Sequence, residues 1–172
     1  VTVFFTSDTH FGDPRVLRVD KRPFKIIPAH DEALIERWNA TVSTDDEVWH
    51  LGDFTLQTET ARIEELLERL QGRKNLISGN NDGPATLSAR GWESVQTYAE
   101  VEVNGRNLVL CHYPFRTWHN MSRGWIDLHG HSHGRLAHKT RQYDVGVDVW
   151  DYRPVTLSMI LNSRLHRWKS AS

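Results

Sequence analysis

Seven side chains in five short clusters carry the donor types of a metal site: Asp8 with His10, Asp53, Asn80, His112, and His131 with His133. Asp8-Thr9-His10 sets a carboxylate and an imidazole two residues apart, so on extended chain both point the same way. His131-Ser132-His133 repeats that spacing with two imidazoles. Oxygen and nitrogen donors in this mixture suit borderline divalent metals such as manganese, iron or zinc rather than calcium. A magnesium site uses fewer histidines. With Asp53 and Asn80 added, the donors outnumber those of one tetrahedral ion, and two ions with a bridging carboxylate share them better. Two divalent ions bring roughly +4, while two carboxylates and a bound hydroxide remove about 3. The positive remainder attracts phosphate without any lysine in the cluster.

The elements around these residues have a common logic. Short strands are predicted over 1–6, 47–51, 75–78 and 107–110, and Asp8, Asp53, Asn80 and His112 each follow one of them. In layered α/β proteins ligands bind outside the carboxyl ends of strands, so four such clusters imply one site. Gly52 and Gly79 are expected to let the chain turn sharply there. Ala33, Leu34 and Trp38 have helical spacing within 31–42, and Ile63, Leu66, Leu67 and Leu70 mark a second helix stopped by Gly72. Residues 95–103 alternate, and Asn104-Gly105 is a hairpin signal. A short strand over 126–128 precedes His129-Gly130-His131-Ser132-His133-Gly134. Residues 143–149 read as a strand whose polar face carries Asp144 and Asp148, and 157–168 as a closing helix. No repeat or linker interrupts the chain, which reads as a single domain over 1–172.

Composition narrows the function. The 21 Lys+Arg nearly balance the 22 Asp+Glu, leaving a formal net charge of −1, which gives no strong case for gripping long nucleic acid. Cys111 is the only cysteine, so no intrachain disulfide forms, and it reads as a small core residue. No apolar stretch approaches a membrane span. Val1 to Phe5 lacks the pattern of a signal peptide, so the expected location is cytoplasmic.

The five clusters, in this order, resemble the calcineurin-like metallophosphoesterases, in particular a branch of short bacterial and phage-type enzymes. The family pattern of Asp-x-His, Gly-Asp, Gly-Asn-His-Asp/Glu, a lone His and Gly-His-x-His reads here as Asp8-Thr9-His10, Gly52-Asp53, Gly79-Asn80-Asn81-Asp82, His112 and Gly130-His131-Ser132-His133. The resemblance implies a four-layer α-β-β-α sandwich, an α/β fold with two mixed sheets face to face and helices outside. It implies one metal on Asp8, His10 and His133, a second on Asn80, His112 and His131, and Asp53 bridging them. A hydroxide between two divalent transition ions, with manganese favoured, would then attack a phosphate ester.

The third cluster departs from the pattern, because Asn81 stands where most relatives have a His that donates near the leaving group. An amide can donate a hydrogen bond but cannot deliver a proton. Asn81, with Asp53, is therefore the expected catalytic pair, and the resemblance leans toward phosphodiesters or cyclic phosphates. A phosphomonoesterase with another proton donor, Asp13 or His119, is the alternative, and a non-catalytic scaffold of the same fold is a third reading. Arg22, Arg116 and Arg123 are the candidates for gripping phosphate. Tyr113, Phe115 and Trp118 could stack a base of a small, nucleotide-like substrate. His50 is expected to orient Asp53, His129 to support the site without binding metal, and His30, His138 and His166 to lie at the surface.

Overall fold

The computed structural model describes residues 1–163. Five strands form the first sheet: β1 (Val3–Thr6), β2 (Glu47–His50), β3 (Arg73–Ile77), β4 (Trp92–Gln96) and β9 (Val155–Thr156). Their order is β4-β3-β2-β1-β9, with β1 to β4 parallel and β9 antiparallel to β1. The second sheet runs β5 (Tyr98–Val103), β6 (Arg106–Cys111), β7 (Ile126–His129) and β8 (Gln142–Asp144). It is mixed too: β5 is antiparallel to β6, while β6, β7 and β8 are parallel.

Side-chain alternation along β1 and β2 builds two cores from one sheet. Phe5 and Trp49 point between the sheets, where they join Ile77, Leu108, Leu110 and Leu128. Phe4 and Val48 point the other way, onto helices α2 (Ile27–Asn39), α3 (Thr60–Arg69) and α4 (Pro84–Ser88) through Leu34, Trp38, Ile63, Leu67 and Ala89. Two mixed sheets packed face to face, with helices outside, are thus present as the resemblance implies. Over the outer face of the second sheet, the segment between β6 and β7 lays Phe115 against Tyr98 and His119 beside Glu100. Its only helical element among the described residues is the 3-10 turn Met121–Arg123.

Local chemistry sets the element ends. Helix α2 begins earlier than the apolar spacing indicates, because Pro28 fits a first helical turn, where its missing N–H is not needed. Asn104 and Gly105 have φ of 52° and 72°, the pair of left-handed residues that a tight hairpin between β5 and β6 requires. The expected strand over 95–103 divides at Thr97, so β4 pairs with β3 in one sheet and β5 with β6 in the other. The expected strand over 143–149 stops at Asp144. Beyond it Gly146 bridges to Ser7 and Val147 N–H donates to Ser7 O, which ties the edges of the two sheets together. The closing helix α5 (Leu157–Asn162) packs on β1 and β9, and the remainder of the predicted helix lies outside the described residues. Helix α1 (Arg15–Arg18) is a single turn after the first cluster.

Candidate metal centre

The loops beyond β1, β2, β3, β6 and β7 meet at one edge. Backbone bonds hold the first two together: Asp8 N–H donates to Gly52 O (2.9 Å) and His10 N–H to Asp53 O (3.0 Å). Asp82 joins the third, its carboxylate accepting from the N–H groups of Asp53, Phe54 and Gly79, each at 2.8 Å. This lattice supports an unusual backbone. Asp8, His10, Asp53, His131 and His133 have φ of 56°, 50°, 57°, 68° and 47°, a region costing L-residues about 1 kcal/mol or more each. The expectation that Asp8-x-His10 and His131-x-His133 act as extended chain is therefore corrected. Glycine is required at two close approaches. A Cβ on Gly79 would lie 2.3 Å from Asp53 Oδ1, and one on Gly130 2.4 Å from Ser7 Oγ. Gly52, at φ +94°, does turn the chain, whereas Gly79 mainly makes room.

Hydrogen bonding fixes which ring nitrogen of three histidines is free. His10 Nδ1 lies 3.1 Å from Asp13 Oδ2, His112 Nδ1 2.7 Å from Leu51 O, and His133 Nδ1 2.8 Å from Asp148 Oδ2. Each partner is an acceptor, so each Nδ1 carries a proton, and in the neutral ring each Nε2 presents a lone pair. Those lone pairs converge on other acceptors. His10 Nε2 lies 3.5 Å from Asp53 Oδ2 and 3.9 Å from Asp8 Oδ1, His112 Nε2 3.6 Å from Asp53 Oδ2, and His133 Nε2 3.7 Å from Asp8 Oδ1. Asn80 Oδ1 lies 3.1 Å from His112 Nε2 and 3.0 Å from His131 Nδ1. His10 Nε2 is buried with no hydrogen-bond partner. Buried acceptors facing acceptors are unfavourable unless a cation sits among them, so this donor set fits divalent metal ions.

The donors fall into two groups: Asp8, His10 and His133, and Asp53, His112 and His131. Within each, the candidate atoms lie within 4.8 Å of one another. Asp53 Oδ2 stands between the groups, near an imidazole of each. The two histidines of His131-x-His133 divide between them, a consequence of the left-handed turns at both. Electrostatics agrees. Burial pushes the Asp8 carboxyl up to about 8 and the His10 imidazole down to about 4; a nearby cation would ionise Asp8 and keep His10 neutral, the form of each that binds metal. Burial opposes ionisation of Asp53 as well, but His112 and two hydrogen bonds from Asn81 bring it below the usual carboxylate range.

Several expected roles change. Arg22 is buried: it bonds bidentately to Asp148 (2.9 and 2.8 Å) and donates to Asp8 O, Thr9 O and His30 Nε2, leaving no face for substrate. Arg116 and Arg123 are exposed but do not line the metal cavity. His50 serves Thr9, not Asp53. The Thr9 hydroxyl donates to Phe54 O, so it accepts from His50 Nε2 (2.9 Å), whose ring burial holds at about 3. His30 is fully buried rather than at the surface, bridging Arg22 and Asp31. His138 is half-buried, and His166 falls outside the described residues. Asp148 does not mark a solvent face; it links Arg22 to His133. Asp13 holds His10, and His119 sits with Glu100 and Trp125, so neither is placed as a proton donor. His129 is buried, its Nδ1 on Gly130 O. Cys111 is a buried core residue. Tyr113 packs edge-on against His112 and His131, while Phe115 lies on Tyr98 and Trp118 is buried.

A cavity of about 290 Å³ opens on the donors, lined by His10, Asp53, Asn80, Asn81, His131 and His133, with Arg15 and Arg135 at its side. Those two arginines escaped the sequence reading. Arg15 stands two residues after Asp13 and bonds it, and Arg135 bonds Asp20. No local signal set Arg15 apart from Arg18 and Arg22, which follow the same cluster within a few residues. Nothing local marked the pairing of Arg22 with Asp148, 126 residues apart.

Comparison with known proteins matches this architecture. Residues 1–149 match the Calcineurin-like phosphoesterase superfamily domain. The chain is 31% identical over 167 residues to protein MJ1445 of Methanocaldococcus jannaschii, covering 92% of this chain and 89% of that one. It is 34% identical over 179 residues to the Gene 66 protein of Mycobacterium phage D29, covering 86% and 88%. The crystal structure of AQ665 from Aquifex aeolicus superposes with a TM-score of 0.70 at 22% identity, covering 90% of this chain and 94% of that one, a likeness of fold. The match over most of its length makes this chain a member of the calcineurin-like phosphoesterase superfamily.

Proposed function

We propose that this member of a phosphoesterase family hydrolyses a small phosphodiester, using two divalent transition metal ions held by Asp8, His10, Asp53, Asn80, His112, His131 and His133. The observation carrying the reading is the placement of Asp53 Oδ2 between two groups of acceptor atoms whose hydrogen bonds are otherwise spent. When bound, such ions would polarise the phosphoryl group and make a water acidic enough to attack phosphorus. Manganese is the ion favoured by the family resemblance, with iron or zinc as alternatives, and the mixed oxygen and nitrogen donors accept all three.

The chain's own part is positioning. Asp13, Leu51 O and Asp148 hold three imidazoles with Nε2 inward. Both Asn81 nitrogens donate to Asp53, at 2.8 and 2.7 Å, keeping its carboxylate ionised and oriented. No imidazole stands at position 81 to protonate a departing alkoxide, which supports diesters over monoesters with poor leaving groups. The cavity admits a small organic phosphate, and the exposed Tyr113 packs against His131, one of its lining residues.

Two measurements test this. Metal analysis of purified protein should find two transition ions per chain, and activity with manganese should be greater toward bis-p-nitrophenyl phosphate than toward p-nitrophenyl phosphate. Protein that binds no metal at any pH refutes the metal centre, and a preference for the monoester refutes the diester assignment.

A further inference from the structure

The structure gives Asn81 a different task from donating to a leaving group. Its Nδ2 donates to Asp53 Oδ2 at 2.7 Å and its Oδ1 accepts from Arg15 Nη2 at 3.2 Å. Turning the amide over would set two acceptors against each other at one end and two donors at the other, so its orientation is fixed. Asn81 is thereby a buckle between Asp53 and Arg15.

Arg15 is held equally firmly on one edge. Its Nε and Nη2 grip both oxygens of Asp13, at 2.8 to 3.1 Å, and the same Asp13 carboxylate accepts from His10 Nδ1. A chain of hydrogen bonds results, Asp53, Asn81, Arg15, Asp13 and His10, and the Nε2 of His10 faces Asp53 Oδ2 again across 3.5 Å. The remaining edge of the guanidinium, Nη1, has no partner among the described residues. The side chain is 49% exposed and lines the cavity with His10, Asp53 and Asn81. Of the arginines considered, Arg22 is buried, Arg116 and Arg123 lie elsewhere, and Arg135 approaches beside His133 and Asp20.

We propose that Arg15 is the catalytic residue at the leaving group, and that Asn81 is the positioning residue that aims it. In the step, the attacking water oxygen forms a bond to phosphorus while the bond from phosphorus to the leaving oxygen breaks. The leaving oxygen departs with the electron pair, hydrogen-bonded to Arg15 Nη1. Its proton comes finally from water, because a guanidinium does not give one up. The proton lost by the attacking water returns to solvent, so the sum is diester plus water giving monoester plus alcohol. Fixed positive charge in place of an acid makes the site best for leaving groups that tolerate negative charge.

This inference rests on the phosphodiesterase reading, and its test separates the two. Methyl aryl phosphodiesters with leaving phenols of rising pKa, from 4-nitrophenol to phenol, are assayed with manganese on wild type, Arg15→Met and Arg15→Lys. Arg15→Met should lose about tenfold in kcat for 4-nitrophenyl and at least about a hundredfold for phenyl, with KM little changed. Arg15→Lys keeps charge without the fork and should fall between. Unchanged melting temperature and manganese affinity, read by calorimetry, show that the fold and His10 are intact. A loss equal across the series would assign Arg15 to holding Asp13 alone and overturn the proposal, leaving the phosphodiesterase reading in place. A wild type inactive on every diester overturns both.

Discussion

Removing metal by chelation should make this protein less stable as pH rises from about 6.5 to about 8, and the loss can be worked from three buried groups. The Asp8 carboxyl is raised from 3.8 to about 8 by burial. A raised carboxyl contributes stability that is complete below 3.8 and is lost progressively as pH climbs to about 8, at about 1.4 kcal/mol per unit. His10 and His50 act oppositely, because burial lowers them from 6.5 to about 4 and about 3. Their contribution is complete above 6.5 and lost as pH falls toward those values. Between 4 and 6.5 the two imidazoles outweigh the one carboxyl, and stability rises with pH. Above 6.5 they are silent and Asp8 remains. His133 joins it with the same sign: burial opposes its proton, but the Asp148 bond and nearby carboxylates raise it overall. Asp8 alone predicts a fall of about 2 kcal/mol over that window. Urea unfolding in EDTA at pH 6.5 and 8.0, at constant m, measures it directly. Saturating manganese should abolish or reverse the fall by binding ionised Asp8, and Asp8→Asn should flatten the metal-free curve. Chelated wild type equally stable or more stable at pH 8.0 would refute the electrostatic account of the centre.

Three further outcomes follow from the same contacts. Asp148→Ala strips the fully buried Arg22 guanidinium of its ion partner and His133 of its acceptor; urea midpoints should drop by the equivalent of about 3 kcal/mol, and manganese affinity by at least about tenfold. A change below about 1 kcal/mol would show that water replaces Asp148 readily. Gly130→Ala places a methyl 2.4 Å from Ser7 Oγ and 2.6 Å from Asp8 Oδ2, so turnover should fall about a hundredfold or more; activity near wild type would mean the loop yields freely. Asp53→Asn should leave the fold intact by circular dichroism yet eliminate turnover with manganese, and a variant retaining full activity would remove Asp53 from the bridging position.

The donors were legible because each lies where chain polarity changes abruptly, after a run such as Val3-Phe4-Phe5-Thr6. The fold followed for the same reason, since β1, β2 and β3 are short apolar runs ended by polar loops. What stayed hidden was relational. Arg22 and Arg15 are alike in sequence, each a cation a few residues beyond the first cluster. Only the arrival of Asp148 from the far end of the chain buries one, and only the Asp13 and Asn81 contacts hold the other at the cavity. His30 and His50 likewise read as generic imidazoles until their neighbours close over them. The division of residues 95–103 was hidden because β4 and β5 alternate in the same way, and Thr97 has no breaker chemistry.

The left-handed backbone of the donors is the part that sequence patterning could not supply, and it bears on how the site works. Five of the seven candidate ligands lie at positive φ without being glycine, so together they store several kcal/mol of strain. The loops that carry them are held by protein bonds: Asp8 N–H to Gly52 O, His10 N–H to Asp53 O, and three N–H groups to Asp82. The fold's own bonds thus contribute to placing the donors, so part of the ordering entropy that metal binding would cost is met in folding. Asp82 shows this most plainly, since its carboxylate hydrogen-bonds backbone N–H groups at Asp53, Phe54 and Gly79, the last beside Asn80. Its burial raises its carboxyl even against those three bonds, so the position is costly to the fold. A costly carboxylate at the junction of two ligand loops is explained by the centre it organises rather than by the stability it adds.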